Sequence, residues 1–127
     1  VAIQLNHTIV SAGNGEISAN WFAELFGLDE PVPFGHFWQV STGNGVDLDF
    51  DTWGEDDSFT RQHYAFLVAD EEFDEIFGRV VAREMAHWAD PGRTRPGEIN
   101  DHDGGRGVYF LSNDEHFLEI LTKPYGG

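Results

Sequence analysis

Residues 5–10, Leu-Asn-His-Thr-Ile-Val, return in altered form at 62–68 as Gln-His-Tyr-Ala-Phe-Leu-Val. Each is a short apolar strand pattern with a histidine near its beginning, and the two histidines, His7 and His63, stand 56 positions apart. A repeat of this length constrains the fold strongly, because each copy must form one supersecondary unit. The segments downstream of the two strands repeat as well. After the first strand come Gly-Asn-Gly and a stretch in which Ile17, Trp21, Leu25 and Leu28 recur at helical spacing, with Gly27 as terminator. Past Pro31 and Pro33, HFWQVST and VDLDFDT are joined by Gly-Asn-Gly, a hairpin signal.

The second copy keeps the order. Asp70 is a suitable N-cap with Glu71 and Glu72 in the first turn. Phe73, Ile76, Phe77, Val80 and Val81 then form the apolar stripe of an amphipathic helix. AHWAD is a short strand candidate, and a loop, DPGRTRPGEINDHDGG, leads into the hairpin GVYFLS–HFLEILT. The chain therefore reads as strand, helix and three strands, twice. The expected fold is α+β, a single domain of 127 residues built from two βαβββ modules, about 1–57 and 58–127, that form a cupped mixed sheet.

Composition narrows the chemistry. There is no cysteine, so a disulfide, a zinc–thiolate site or a thiol nucleophile is impossible. No apolar run approaches the roughly 18 residues of a membrane span, and nothing resembles a signal peptide, so a cytoplasmic protein is expected. The formal charge is -16, and Lys123 is the sole lysine. Such a field repels phosphate backbones and polyanionic substrates, which argues against nucleic acid, and would steer cationic ligands in.

Side chains alternate faces along a strand, so a polar residue among apolar neighbours faces either water or a shared interior site. Glu119 lies between Leu118 and Ile120, with Phe117 and Leu121 on its own face. A carboxylate placed there is costly to desolvate unless paired or metal-bound. If the modules pair about a pseudo-twofold axis, His7 and His63 arrive from equivalent positions with Glu119 nearby. Two imidazoles and a carboxylate are the facial set that holds a divalent ion and leaves positions open for substrate. Gly35 to Asp47 is 12 positions, as is Gly107 to Glu119, which makes Asp47 the expected counterpart of Glu119.

On these residues, the chain resembles the vicinal oxygen chelate superfamily, which includes glyoxalase I, extradiol dioxygenases, fosfomycin-resistance enzymes and bleomycin-resistance proteins. The resemblance covers the whole chain through LNHTIV, WFAELFGLD, QHYAFLV and GRGVYFLSNDEHFLEILT. It implies that His7, His63 and Glu119 are metal ligands. The extradiol dioxygenases are the most specific match: their histidine, tyrosine and ligand glutamate fall on His102, Tyr109 and Glu119 at the family's intervals. The resemblance gives His102 and Tyr109 the task of orienting a bound catechol and moving protons. The family writes Asp-Pro-x-Gly at the following turn, where Ser112-Asn113-Asp114-Glu115 stands here.

Other members point elsewhere. Glyoxalase I places a fourth acidic ligand where Asp47 sits by count, with Asp49 on the same face as a competitor. Fosfomycin-resistance enzymes need a cationic cluster, for which Arg93, Arg95 and Arg106 are the candidates. Bleomycin-resistance proteins bind a cationic drug without catalysis, and net charge plus Phe37, Trp38, Trp53 and Trp88 suit that alternative. His36, His87 and His116 match no constellation. The reading expected from these residues is a homodimeric enzyme with one divalent ion (Fe, Mn, Zn or Ni) and a small substrate that chelates it through vicinal oxygens. A glyoxalase-type lyase or a drug-binding protein is the alternative.

Overall fold

The computed structural model describes residues 2–125. The chain divides into two compact units, Val1–Thr60 and Arg61–Gly127. In the first, strand β1 (His7–Ala12) leads into helix α1 (Gly15–Phe26), followed by β2 (Val32–Phe34), β3 (Phe37–Ser41) and β4 (Asp47–Thr52). In the second, β5 (His63–Leu67) precedes α2 (Asp70–Ala82), β6 (His87–Trp88), β7 (Gly107–Leu111) and β8 (Phe117–Leu121). The sheet orders are β1-β4-β3-β2 and β5-β8-β7-β6, the same pattern twice. In each unit the histidine-bearing strand runs parallel to the last strand, and the other pairs are antiparallel. Two four-stranded mixed sheets, each with one helix, make the glyoxalase/bleomycin-resistance/dioxygenase fold.

Alternation along the strands sorts each sheet into an apolar and a polar face. Val10, Val40, Leu48 and Phe50 are buried, and the Phe50 ring lies 5.9 Å from Phe22 of α1. Val108, Phe110, Leu118 and Ile120 are buried in the second unit, as are Phe73, Ile76 and Val80 of α2. Full burial of such a side chain stabilises by about 1.5–3 kcal/mol, so these faces fix which side of each sheet is left for chemistry.

Helix α1 differs from its expected stripe. Its buried residues are Gly15, Ser18, Ala19, Phe22, Ala23 and Leu25, whereas Ile17 is 61% exposed. Leu25 of the expected stripe is buried, but Ser18, Ala19, Phe22 and Ala23 join it there in place of Ile17. Gly27 does end the helix, in the left-handed conformation at φ 68°. Helix α2 begins one residue earlier than expected: Ala69 is the N-cap, Asp70 is the first helical residue, and the Ala69 N–H donates to Glu72 Oε1 at 2.8 Å. Strand β2 contains Pro33 and pairs on one side only, the sheet-edge position where a missing N–H is tolerated.

At the β7–β8 turn, Glu115 adopts φ 67°, the left-handed conformation. The Ser112 hydroxyl accepts from the His116 N–H at 3.0 Å and helps to fix it. Hydrogen bonding thus holds a non-glycine residue in this turn conformation.

No helix among the described residues is long and apolar enough to cross a membrane.

Candidate metal centre

The second unit gathers most of the expected site. Register pairs Tyr109 with Glu119, and Trp88 with Tyr109, across neighbouring strands, so all three side chains share one sheet face. His63 pairs with Phe117, two residues before Glu119, and joins that face. The result is His63 Nε2 at 3.2 Å from Glu119 Oε1. Glu119 is 1% exposed, while the imidazole remains open to solvent.

The hydrogen bonds around this pair decide what fits between its members. His63 Nδ1 lies 2.9 Å from the carbonyl oxygen of Phe117. A carbonyl only accepts, so Nδ1 carries the hydrogen and Nε2 of the neutral ring presents a lone pair to the carboxylate. Two lone pairs at 3.2 Å repel unless a cation, a proton or a metal ion, bridges them. Ligands held about 2.0–2.2 Å from one ion at near right angles stand about 3 Å apart. The spacing, the tautomer and the carbonyl behind the ring all fit a divalent ion. An imidazole and a carboxylate suit Fe, Mn, Zn or Ni alike.

A residue outside the expected set completes the surroundings of Glu119. The Tyr125 hydroxyl donates to both carboxylate oxygens, at 2.9 Å and 2.7 Å. With its hydrogen committed there, Tyr125 accepts from the Tyr109 hydroxyl at 2.9 Å. Tyr109 is 3% exposed, and burial, followed by the Tyr125 hydrogen bond and the Glu119 charge, pushes its phenol far above the ordinary value of 10.0. It therefore stays protonated and donates. Burial first of all raises Tyr125 as well. No sequence periodicity marks Tyr125, because it lies beyond the last strand.

His102 stands on a short turn, His102–Gly104, with its ring 6.1 Å from that of Tyr125. Buried Asn100 ties this segment down. Its Nδ2 donates to the Ala89 carbonyl at 2.8 Å, its Oδ1 accepts from the His102 N–H at 3.2 Å, and its backbone pairs with Gly107. A Cβ at Gly107 would come within 2.8 Å of Asn100 Oδ1, so only glycine lets the loop lie this close to β7.

In the first unit, His7 pairs with Asp47 in register and Ile9 pairs with Asp49. In the second, His63 pairs with Phe117 and Ala65 with Glu119. Asp49, not Asp47, is therefore the register counterpart of Glu119, and Gln39, its β3 partner, is the counterpart of Tyr109. Asp49 is 3% exposed and accepts from Gln39 Nε2 at 3.0 Å. Asp47 is hydrogen-bonded by the Ser41 hydroxyl at 2.7 Å. The count from glycine to acid failed because Gly35 occupies a turn at φ 59°, whereas Gly107 is already in a strand. His7 Nδ1 lies 2.7 Å from Asn6 Oδ1, an acceptor that places the ring hydrogen on Nδ1, as the Phe117 carbonyl does in His63.

No group of three or more His, Asp or Glu side chains forms a ready metal cage among the described residues. Of the three histidines without an expected role, two are held by backbone hydrogen bonds. Buried His116 accepts the Gln62 N–H on Nδ1, His87 Nδ1 donates to the Met85 carbonyl, and exposed His36 lies 3.9 Å from Asp51.

Neither a protein-family model nor a curated protein matches the chain. Among solved structures it is similar to the oxidase ChaP-H1, at 57% identity over 99% of this chain and 100% of that one, with a TM-score of 0.93. It is likewise similar to the oxidase ChaP-H2, at 48% identity over 100% and 98% of the two chains, TM-score 0.93. A glyoxalase/dioxygenase from Nostoc punctiforme shares the fold at 22% identity, covering 96% of this chain and 92% of its own, TM-score 0.70. The chain belongs to the vicinal oxygen chelate superfamily.

Proposed function

We propose that the chain is a divalent-metal-dependent oxidative enzyme whose small substrate chelates the ion through vicinal oxygens. Extradiol-dioxygenase-like chemistry is the most specific form of this reading. The observation that carries it is the His63–Glu119 pair, with the imidazole oriented so that its free lone pair faces the carboxylate. The oxidase named among the relatives, at 57% identity, favours oxidation over glyoxalase-type lyase chemistry.

In this reading His63 Nε2 and one Glu119 oxygen hold the ion, and His7, the counterpart of His63 in the first unit, supplies the second imidazole. A bound divalent ion supplies Lewis-acid stabilisation of an enolate or catecholate. The chain's own residues do the rest. Tyr125 holds the carboxylate in place through both oxygens, and Tyr109 holds Tyr125. The raised phenol of Tyr109 keeps its proton, which makes it a donor rather than a base. His102, beside Tyr125, is the exposed group able to pass a proton between solvent and substrate. A positioned acid or base of this kind typically contributes about 10²–10⁴-fold in rate. The reading includes a homodimer, the assembly common among small members of the superfamily.

The test is anaerobic loading with Fe(II), followed by oxygen uptake across a panel of catechols, with a glyoxalase assay on Ni- and Zn-loaded protein. Turnover of a catechol is expected, reduced in Tyr109→Phe at unchanged metal content. Silence in both assays, with tight and salt-sensitive binding of a cationic glycopeptide drug, would replace the enzyme by the drug-binding alternative.

A further inference from the structure

The side chain of Arg93 has a setting unlike those of the other arginines near it. Its guanidinium lies over two aromatic faces, 5.2 Å from the Trp88 ring centroid and 4.9 Å from that of Phe117. Arg61, Arg95 and Arg106 each lie within 4.0 Å of a carboxylate. Among the described residues, no hydrogen bond or ion pair engages the Arg93 side chain. In a chain of net charge -16, carboxylates are plentiful, so a cation without one is kept from them by local geometry.

That geometry is imposed by the loop. Arg93 adopts φ 59°, the left-handed conformation that a non-glycine residue takes only when its surroundings dictate it. They do so through Asp90, whose carboxylate accepts from the Thr94 N–H, the Thr94 hydroxyl and the Arg95 N–H at 2.6–3.0 Å. The Arg93 N–H bonds the Asp90 carbonyl at 3.2 Å. The strained residue is thus clamped on both sides, and its side chain is laid across the aromatic pair.

The aromatic pair leads to the candidate metal centre. Phe117 stacks on Tyr109, with centroids 5.3 Å apart, and lies 5.8 Å from the His63 ring. Trp88 is the strand partner of Tyr109. Arg93 therefore sits one aromatic ring away from the imidazole of the metal pair, on the same sheet face.

We infer that Arg93 is a specificity-determining residue that pairs with an anionic oxygen group, a carboxylate or an ionised phenol, carried on the ring of the substrate. The inference rests on the metal-chelating reading of the same site and names its substrate class: an aromatic vicinal diol with a second, anionic end. The rings of Trp88 and Phe117 pack against the guanidinium, while the exposed residue leaves its N–H groups available to a bidentate partner. The arrangement favours an acidic substrate locally although the protein as a whole is acidic.

The experiment compares catechol with 3,4-dihydroxybenzoate by calorimetry on Fe(II)-loaded, oxygen-free protein. The wild type is expected to prefer the carboxylate-bearing diol by about tenfold or more, the range for a charge-assisted hydrogen-bonded contact. Arg93→Gln should bring the ratio near unity, and Arg93→Lys should retain part of it. A ratio unchanged in Arg93→Gln, with catechol still bound, overturns the assignment and leaves the metal reading standing. A second titration, benzoate against metal-free protein, follows the Arg93 Nε–H resonance, identified by its loss from the spectrum of Arg93→Gln. If neither diol binds the loaded protein but benzoate still shifts that resonance, the metal reading fails and the anion contact stands. No shift with benzoate and no Arg93-dependent ratio would overturn the inference outright.

Discussion

The two units share strand order, register and the placement of one histidine, yet only the second brings its histidine beside its buried carboxylate among the described residues. In the first, the buried carboxylate is Asp49, and its strand partner is the amide of Gln39. In the second, it is Glu119, and its strand partner is Tyr109, which reaches it through Tyr125. An amide donor satisfies a carboxylate and ends the matter. A phenol pair satisfies it while leaving lone pairs facing an imidazole. The comparison teaches that the shared scaffold supplies positions, and that a few side chains per unit decide whether the buried carboxylate is closed off by an amide or left facing an imidazole.

The largest way to break this contrast is His63→Ala. Metal content, measured on protein purified without chelator or nickel affinity, should fall to background, and metal should no longer raise the melting temperature, since ligand binding to the native state is what stabilises it. Equal metal in both proteins would remove the basis for treating the second unit as special. Tyr125→Phe is the next largest. It removes one hydroxyl and little volume, and by analogy with other groups that orient a ligand it should weaken metal affinity about 10–100-fold in a chelator competition.

Asp49→Ala tests the other half. It leaves the Gln39 amide without its partner and should cost about 1–3 kcal/mol in urea unfolding, with metal affinity changed less than about twofold. A large loss of metal would instead make Asp49 a ligand and erase the asymmetry.

The smallest effect concerns pH. The Asp90 carboxyl is held below its ordinary value of 3.8, chiefly by the Thr94 side chain and further by the Thr94 and Arg95 backbone. A depressed acid contributes stability that is complete above the unfolded value and is lost as pH falls through the folded one. Amide protection factors in the 90–95 loop, corrected for the intrinsic pH dependence of exchange, should therefore be flat above about pH 4 and fall only in stronger acid. A loss of protection near neutrality would contradict the clamp on Arg93.

Much of this was legible in the sequence. The repeat of LNHTIV and HYAFLV marked two units, and the apolar neighbours of Glu119 marked a carboxylate needing a partner. Three things were not legible. Counting from glycine could not distinguish a turn glycine from a strand glycine, so Asp47 stood in for Asp49. The buried face of α1 holds Leu25 as expected, but completes it with Phe22 and with alanines that carry little hydrophobic signal, so Ile17 was wrongly included. Tyr125 acts from a segment without secondary structure, where no period exists to read. What escaped was set by backbone conformation and by contacts distant in sequence.

The carbonyl that orients His63 belongs to the main chain of Phe117, and this has a consequence for how such a protein changes over generations. Substitution cannot delete a backbone carbonyl. The side chain at position 117 faces the site and touches Tyr109, His63 and Arg93, so it is free to be exchanged as ligands change while the imidazole keeps its aim. One residue thus separates what must be inherited unaltered from what can vary, which suits a scaffold that diversifies by altering its pocket and not its centre.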